Sequence, residues 1–142
     1  MLAEIETPAF DAHPLQTEHE VREIMTPGVV TIVEDASLRQ ARRAMRAHHV
    51  QGVLVVGRGQ GKPLGWVTAR GLLSWIGRDQ SMASAREAIT EAPTAIEPSA
   101  RLPEAVRALS QPGVSRLLVQ RRPDVFPEGV VSDADLLELD DA

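Results

Sequence analysis

A 64-residue internal repeat is the feature that most constrains the fold of this 142-residue chain. The segment that begins at Arg22 aligns without a gap with the segment that begins at Arg86, and apolar residues recur in register over about fifty positions. The matched pairs include Ile32 with Ile96, Leu38 with Leu102, Val55 with Val119, and Gly65 with Gly129. A unit of this size rarely buries its apolar face alone, so the two copies are expected to pack as one pseudo-symmetric whole.

Each copy predicts the order β-α-β-β-α, which places the chain in the mixed α/β (α+β) class. Residues 29–33 and 94–96 are β-prone, and the continuous apolar runs at 53–56 and 116–119 are typical of strands covered on both faces. Further strands are predicted at 64–68 and 129–132, and each leads into a short helix. The central helix of each copy has apolar residues at helical spacing: Leu38, Ala41 and Met45 in the first, and Leu102, Ala105 and Leu109 in the second.

The repeat boundaries predict four segments along the chain. They are an N-terminal arm at 1–20, a first repeat at 21–76, a linker at 77–85 and a second repeat at 86–140. The arm mixes acids and prolines without sustained periodicity, so it is either flexible or a strap across the core.

Composition excludes several classes of protein. The chain has no cysteine, which rules out disulfides, thiolate catalysis and cysteine-ligated metal centres. No apolar run approaches the roughly 20 residues of a membrane span, and no leader is apparent, so we expect a soluble cytoplasmic protein with no membrane contact. No Ser-His-Asp order or metal triad stands out, and we expect no catalysis and no required cofactor or metal.

Charge is distributed unevenly. The formal net charge of −5 argues against nucleic acid as a partner, yet residues 36–78 contain no acid. Four arginines of this basic block, Arg39, Arg42, Arg43 and Arg46, are predicted on the face of the first central helix opposite its apolar stripe. This face is either solvated or a binding patch, and the acidic ends of the chain can also neutralise the block. Nucleic-acid binding through the block is the weakest of these alternatives.

The stretch "GVVSDADLL" at 129–137 holds the most specific pair of polar residues. A Ser followed three residues later by an acid, ahead of an apolar run, is a helix capping box, so Ser132 and Asp135 are expected to start the last helix. A helix that begins directly after a strand also points free N–H groups outward, which favours an anion. Capping and ligand binding are compatible, and both remain open.

Five stretches together resemble a tandem pair of cystathionine-β-synthase (CBS) domains, called a Bateman module: "VREIMTP" (21–27), "HVQGVLVV" (49–56), "GWVTARGLL" (65–73), "GVSRLLV" (113–119) and "GVVSDADLL" (129–137). The resemblance implies a non-enzymatic regulatory module with two clefts between the repeats. Such clefts bind adenosine-containing ligands: AMP, ADP, ATP or S-adenosylmethionine. It also implies a homodimer and a regulated protein partner.

The resemblance further implies which residues would bind the nucleotide. In the second repeat Asp135 would accept the ribose hydroxyls, Ser132 would face ribose or phosphate, and the backbone of Thr94, Ala95 and Ile96 would border the adenine. Apart from the resemblance, Arg116 near the start of the second repeat's middle strand and Arg70 in the first repeat's strand-to-helix turn are candidate phosphate partners by position. The first repeat has Gly71 where the aspartate belongs, and glycine has no side-chain acceptor. Its counterpart residues are therefore expected to form a degraded secondary site: Val30, Thr31, Gln51, Gly52, Thr68, Arg70 and Gly71.

A second hypothesis comes from a different class of function. In that hypothesis the chain is a ligand-free module whose helices only dimerise or dock another protein. Association that no nucleotide affects would favour it.

Overall fold

The computed structural model describes residues 18–140, and of Asp140 it describes only the backbone. The predicted arm therefore lies outside the described residues except for its last three. In chain order the α-helices are α1 (Val21–Ile24), α2 (Leu38–His48), α3 (Leu102–Leu109) and α4 (Asp133–Asp140). The strands are β1 (Thr26–Pro27), β2 (Thr31–Val33), β3 (Gly52–Val56), β4 (Pro63–Thr68), β5 (Ala95–Ile96), β6 (Arg116–Val119) and β7 (Gly129–Ser132). Two 3₁₀ helices cover Gly71–Trp75 and Ala85–Ala88.

The internal repeat is visible in the pairing register of two sheets. One sheet has the strand order β2-β3-β4, and the other has the order β1-β7-β6-β5. Gly52 pairs with Thr68 across β3 and β4, while Arg116 pairs with Ser132 across β6 and β7. Both members of the second pair lie 64 residues after those of the first. The predicted α+β class and the β-α-β-β-α order are thus confirmed, with the 3₁₀ helix Gly71–Trp75 as the last helix of the first repeat.

The chain divides into two compact units, one around each repeat. The repeat-1 unit is Val29–Pro93, and the repeat-2 unit joins the chain from Thr94 onward to the segment that ends at Gly28. The repeat-2 unit thus contains α1 and β1, which precede the first repeat's own strands. The packing units therefore have different boundaries from the sequence repeats.

The segment around the start of each sequence repeat packs onto the unit of the other repeat. The N–H of Val21 donates to the carbonyl of Ala100 at 2.8 Å in the repeat-2 unit. In the repeat-1 unit, the N–H of Ala85 donates to the carbonyl of Ala36 at 2.8 Å. Since Val21 and Ala85, like Ala36 and Ala100, are 64 residues apart, the same connection is made twice. Hydrogen bonds remote in sequence therefore close each unit.

The core of the repeat-1 unit lies between its sheet and α2. It includes the α2 residues at helical spacing, namely Leu38, Ala41 and Met45, together with alternate residues of β3, Val53 and Val55. β3 is buried at all five residues, so both of its faces are covered, as its continuous apolar run predicts. The predicted cap of α2 is also present, because the Ser37 hydroxyl accepts from the N–H of Gln40 at 3.1 Å.

Among residues 18–140, the core of the repeat-2 unit has fewer buried members than that of the repeat-1 unit and follows the same plan. Its fully buried members include Ala105 of α3, Leu117 and Val119 of β6, and Val131 of β7. Val21 of α1 adds a fully buried side chain. Burial of the short α1 therefore depends on residues that lie about eighty positions away in the sequence.

Candidate functional site

Ser132 and Asp135 form a reciprocal capping box where β7 leads directly into α4. The Asp135 N–H donates to the Ser132 hydroxyl oxygen at 3.2 Å, and the Ser132 N–H donates to Oδ2 of Asp135 at 2.9 Å. Both side chains are partly exposed. The capping interpretation of the Ser-x-x-Asp spacing is therefore confirmed, because each residue satisfies a backbone N–H of the other.

The Asp135 carboxylate keeps most of its capacity to accept hydrogen bonds. An ionised carboxylate offers about four lone-pair positions, and the capping box uses one of them on Oδ2. Among residues 18–140, no protein group donates a hydrogen bond to Oδ1. The cap therefore leaves lone pairs of the Asp135 carboxylate that can accept further hydrogen bonds.

The other candidate residues of the second repeat lie on neighbouring strands of the same sheet. Arg116 pairs with Ser132 across β6 and β7, so its backbone lies beside the start of α4. On the opposite side of β6, Ala95 pairs with Leu118, and the Thr94 carbonyl accepts from the Leu118 N–H at 2.8 Å. With neighbouring strands about 4.8 Å apart, the backbone around Thr94 lies about 10 Å from β7.

In the first repeat, a threonine crowds the position that corresponds to Asp135. Gly71 donates its N–H to the Thr68 hydroxyl at 3.0 Å, which repeats one of the two capping bonds. A Cβ atom at Gly71 would lie 2.9 Å from Oγ1 and 3.0 Å from Cγ2 of Thr90. The first repeat therefore lacks the carboxylate and also has little space for one.

The remaining first-repeat candidates lie along one end of its sheet. Gly52 starts β3 opposite Thr68, and the Gln51 carbonyl accepts from the N–H of Ala69 at 2.8 Å. On the β2 side, the Val30 carbonyl accepts from the Leu54 N–H at 2.9 Å, and Thr31 pairs with Leu54. Arg70 is exposed at the entrance to the first 3₁₀ helix. The backbone positions of these residues correspond to those of the second-repeat candidates. The first-repeat set has no counterpart of the Asp135 carboxylate.

Part of the basic block is paired with acids of the same unit. The Arg58 guanidinium donates to both carboxylate oxygens of Asp35, at 2.9 and 2.6 Å, and lowers the pKa of that carboxyl. The backbone N–H of Arg58 and the guanidinium of Arg86 lower the pKa of Glu34. The four arginines of α2 are exposed, as its helical spacing predicts.

Sequence reasoning missed a cavity of about 540 Å³ in the repeat-1 unit. We call it the α2 groove, and its lining includes Arg42, Arg46, His49, Leu72, Leu73 and Ile76. Leu73 is 61% exposed and Ile76 is 72% exposed, so the apolar edge faces solvent. The available signal in the sequence was the pair of apolar residues Leu73 and Ile76 in "GLLSWI". The same pattern is also typical of an ordinary short helix that is buried.

The family model described as "CBS domain" matches the chain twice, at residues 21–78 and 85–141. The chain belongs to the CBS domain family. The two matches confirm the resemblance of the five sequence stretches, and a CBS pair is a regulatory module.

Three solved structures with the same fold are each less than 25% identical to this CBS pair. The CBS domain of a bacterial CNNM/CorC family Mg²⁺ transporter in complex with ATP is 21% identical, with a TM-score of 0.75 over 90% of this chain and 91% of that chain. A hexameric CBS-CP12 protein from bloom-forming cyanobacteria is 24% identical, with a TM-score of 0.73 over 84% and 66%. Hypoxic Response Protein I with two coordinated zinc ions is 24% identical, with a TM-score of 0.68 over 84% and 98%. A search of curated protein sequences found no significant match.

Within residues 18–140, no three His, Asp or Glu side chains cluster closely enough to hold a metal ion. In the same part of the CBS pair, no helix has both the length and the apolar character needed to cross a membrane.

Proposed function

We propose that this CBS pair is a non-catalytic regulatory module that binds an adenosine-containing ligand at the β7–α4 edge of the repeat-2 unit. The ligand class is AMP, ADP, ATP or S-adenosylmethionine. The observation that carries the proposal is the Asp135 carboxylate, which is partly exposed and has acceptor capacity left after capping α4. The CNNM/CorC CBS domain with bound ATP supports the same ligand class.

Each proposed contact matches one part of an adenosine ligand. Asp135 accepts the two ribose hydroxyls, which are donors fixed in a vicinal pair. Ser132 faces the ribose or the phosphate, and the guanidinium of Arg116 pairs with the phosphate. Backbone groups of Thr94, Ala95 and Ile96 read the adenine edge, where donors and acceptors alternate. The first-repeat set around Gly71 binds more weakly because it has no carboxylate for the diol.

Thermal unfolding in the presence of each of the four ligands tests this function. A ligand that binds only the folded state stabilises it by about 2.7 kcal/mol at one hundred times its dissociation constant, which gives a measurable rise in Tm. Asp135→Asn preserves an oxygen that can cap α4 but removes the negative charge, so it should abolish most of the rise. Glu138→Gln neutralises an exposed acid on the same helix and is the matched control. If no ligand raises the Tm at millimolar concentration, the nucleotide function is wrong.

Two further comparisons separate ribose recognition from a general charge effect. Adenosine and 2′-deoxyadenosine differ only in one hydroxyl of the diol, and we expect the deoxy compound to bind at least about tenfold more weakly. Asp135→Asn should reduce this preference, whereas Glu138→Gln should leave it unchanged. An equal affinity for the two nucleosides would contradict the role of Asp135 as the ribose acceptor.

We also propose that the chain forms a homodimer, which a regulated protein partner can recognise. Large apolar side chains favour this second role, because Leu73, Ile76 and Leu137 are all more than 60% exposed. A purely assembling module would show concentration-dependent association that no nucleotide alters. Sedimentation equilibrium with and without the ligand that gives the largest Tm shift distinguishes the two roles.

A further inference from the structure

The α2 groove has basic residues on one side and apolar side chains on the other. Arg42, Arg46 and His49 line it from α2 and its C-cap, at positions i, i+4 and i+7, so they follow one face of the helix. Leu72 and Leu73 line it from the first 3₁₀ helix. A molecule that matches both sides therefore needs an apolar body and a negatively charged group.

Among residues 18–140, no acid forms an ion pair with the two arginines of the α2 groove, and the side chain of His49 makes no hydrogen bond. Arg42 donates to the neutral amide oxygen of Gln80 at 2.9 Å, which uses one of its five N–H donors and leaves its charge uncompensated. α2 contains no acid, and like charges four residues apart slightly destabilise a helix. The stability of α2 therefore does not account for the pair Arg42 and Arg46.

The second repeat provides an internal comparison for the groove positions. Its apolar positions recur 64 residues later, because Met45 corresponds to Leu109 and Leu72 corresponds to Leu136. All four of these side chains pack in the core of their own unit. The three basic positions, in contrast, hold uncharged residues in the second repeat: Val106, Ser110 and Gly113. The fold therefore requires the apolar residues in both copies, whereas the basic residues are specific to the first.

The size of the α2 groove matches a small molecule. Its volume of about 540 Å³ lies within the range of about 300–1,000 Å³ that is usual for ligand pockets. The buried side chains of Met45 and Leu72 line it and pack in the core, so this part of the site is formed before a ligand binds. An apolar tail placed against Leu73 and Ile76 would remove apolar surface from water, since these side chains are 61% and 72% exposed.

We propose that the α2 groove binds a small organic carboxylate with an apolar tail, such as a straight-chain fatty acid. The carboxylate accepts hydrogen bonds from the guanidinium groups of Arg42 and Arg46, whose planar donors match its two oxygens. The tail lies against Leu73 and Ile76. Binding therefore depends on charge and apolar contact together.

This site is separate from the proposed nucleotide site, which lies in the repeat-2 unit. Of the first-repeat counterparts of the nucleotide residues, all of which the structure describes, only Gln51 also lines the α2 groove. All the lining residues belong to one copy of the chain, so the site is complete without the proposed homodimer. The carboxylate would thus be a second ligand of the regulatory module.

Isothermal titration calorimetry of the full chain with three probes tests the site. Octanoate carries both the charge and the tail, 1-octanol carries the tail without the charge, and acetate carries the charge without the tail. We expect octanoate to bind with a dissociation constant of about 1 mM or lower. Each of the other two probes should bind at least about tenfold more weakly, because it makes only one of the two kinds of contact.

Paired arginine substitutions test the charged side of the groove. Arg42→Gln/Arg46→Gln should weaken octanoate binding by at least about tenfold and leave 1-octanol binding unchanged. Arg39→Gln/Arg43→Gln makes the same charge change on α2 outside the groove lining and should change octanoate binding by less than about twofold. All four arginines are exposed, so both variants should fold with nearly the original Tm.

The internal repeat supplies a matched control for the apolar side. Leu73→Asn removes an exposed apolar side chain from the groove and should weaken octanoate binding by at least about threefold. Leu137→Asn makes the same change at the corresponding position of the second repeat, where the side chain is 72% exposed. It should leave octanoate binding unchanged.

Three results would overturn the inference. Absence of octanoate binding at millimolar concentration would remove the site. Acetate binding as tight as octanoate binding would show that the groove does not use the tail. An equal loss of affinity in the two arginine variants would show that the whole basic face of α2 attracts anions without the groove. The nucleotide function is tested separately, because Arg42→Gln/Arg46→Gln should retain the rise in Tm that a nucleotide produces.

Discussion

Gly129 of β7 lies so close to Thr26 of β1 that a Cβ atom at Gly129 would be 2.5 Å from the Thr26 carbonyl oxygen. The same crossing occurs in the repeat-1 unit, where a Cβ at Gly65 would lie 2.8 Å from the Glu91 carbonyl oxygen. Because the obstacle is backbone in both units, neither can yield by rotating a side chain. The two glycines allow the exchanged segments to pair with their sheets.

Substitution of Gly129 should weaken the repeat-2 unit. We expect Gly129→Ala to lower the free energy of unfolding by about 1–3 kcal/mol, since β1 must move away from β7. Gly57→Ala is the control, because its Cβ would make an ordinary contact of 3.6 Å with Glu34. Urea denaturation measures both. A Gly129→Ala protein as stable as the original would contradict the close packing.

Gly71 and Thr90 should show energetic coupling, because close packing also leaves little space for a Cβ atom at Gly71. Gly71→Ala alone should destabilise the protein by about 1 kcal/mol, because its Cβ meets Oγ1 and Cγ2 of Thr90. In a Thr90→Ala background those atoms are absent, and the better helix propensity of alanine should make the same substitution neutral or stabilising. A double-mutant cycle by urea denaturation gives the coupling energy. Simple additivity of the two changes would show that Thr90 does not occupy this space.

Much of the fold could be predicted from the sequence because its signals are local and occur twice. The apolar runs at β3 and β6 and the spacing of Leu38, Ala41 and Met45 each indicate one element, and the repeat reinforces them. The exchange of segments between units could not be predicted in this way. β1 has two residues, one of them Pro27, so it has no periodicity. Only hydrogen bonds to residues far along the chain define it.

The candidate site shows the same division between local and remote signals. The spacing of Ser132 and Asp135 is a local signal, and their capping box was predicted directly from it. The loss of the carboxylate at Gly71 was also predicted, but the crowding by Thr90 was not. The α2 groove combines α2 with residues 69–80, and no pattern within either segment indicates that their side chains leave a cavity between them.

The N-cap of α2 should make a measurable contribution to stability. Removal of the Ser37 hydroxyl leaves the Gln40 N–H without its acceptor at 3.1 Å, so Ser37→Ala should cost about 1 kcal/mol. Ser99→Ala is the control, since Ser99 is exposed and its hydroxyl has no hydrogen bond to the part of the chain that the structure describes. Thermal and urea denaturation should agree on the difference. An equal effect of the two substitutions would show that the cap does not stabilise α2.

Stability should decrease in acid partly through Glu34. The backbone N–H of Arg58 and the Arg86 guanidinium hold the pKa of Glu34 below its usual value of 4.5 in the folded protein. The unfolded chain therefore takes up this proton at a higher pH than the folded chain does. The stabilisation is complete above the unfolded pKa and is lost as the pH falls through the lowered folded value.

Replacement of Glu34 isolates this contribution. Glu34→Gln should lower the Tm at pH 7, where the carboxylate is ionised, and the two proteins should converge between about pH 5 and pH 3. Glu97→Gln neutralises an exposed acid elsewhere and should give a curve parallel to that of the original protein. Thermal unfolding across this pH range is the measurement. If the Tm difference between Glu34→Gln and the original stays constant down to pH 3, the ionised Glu34 contributes nothing through these two partners.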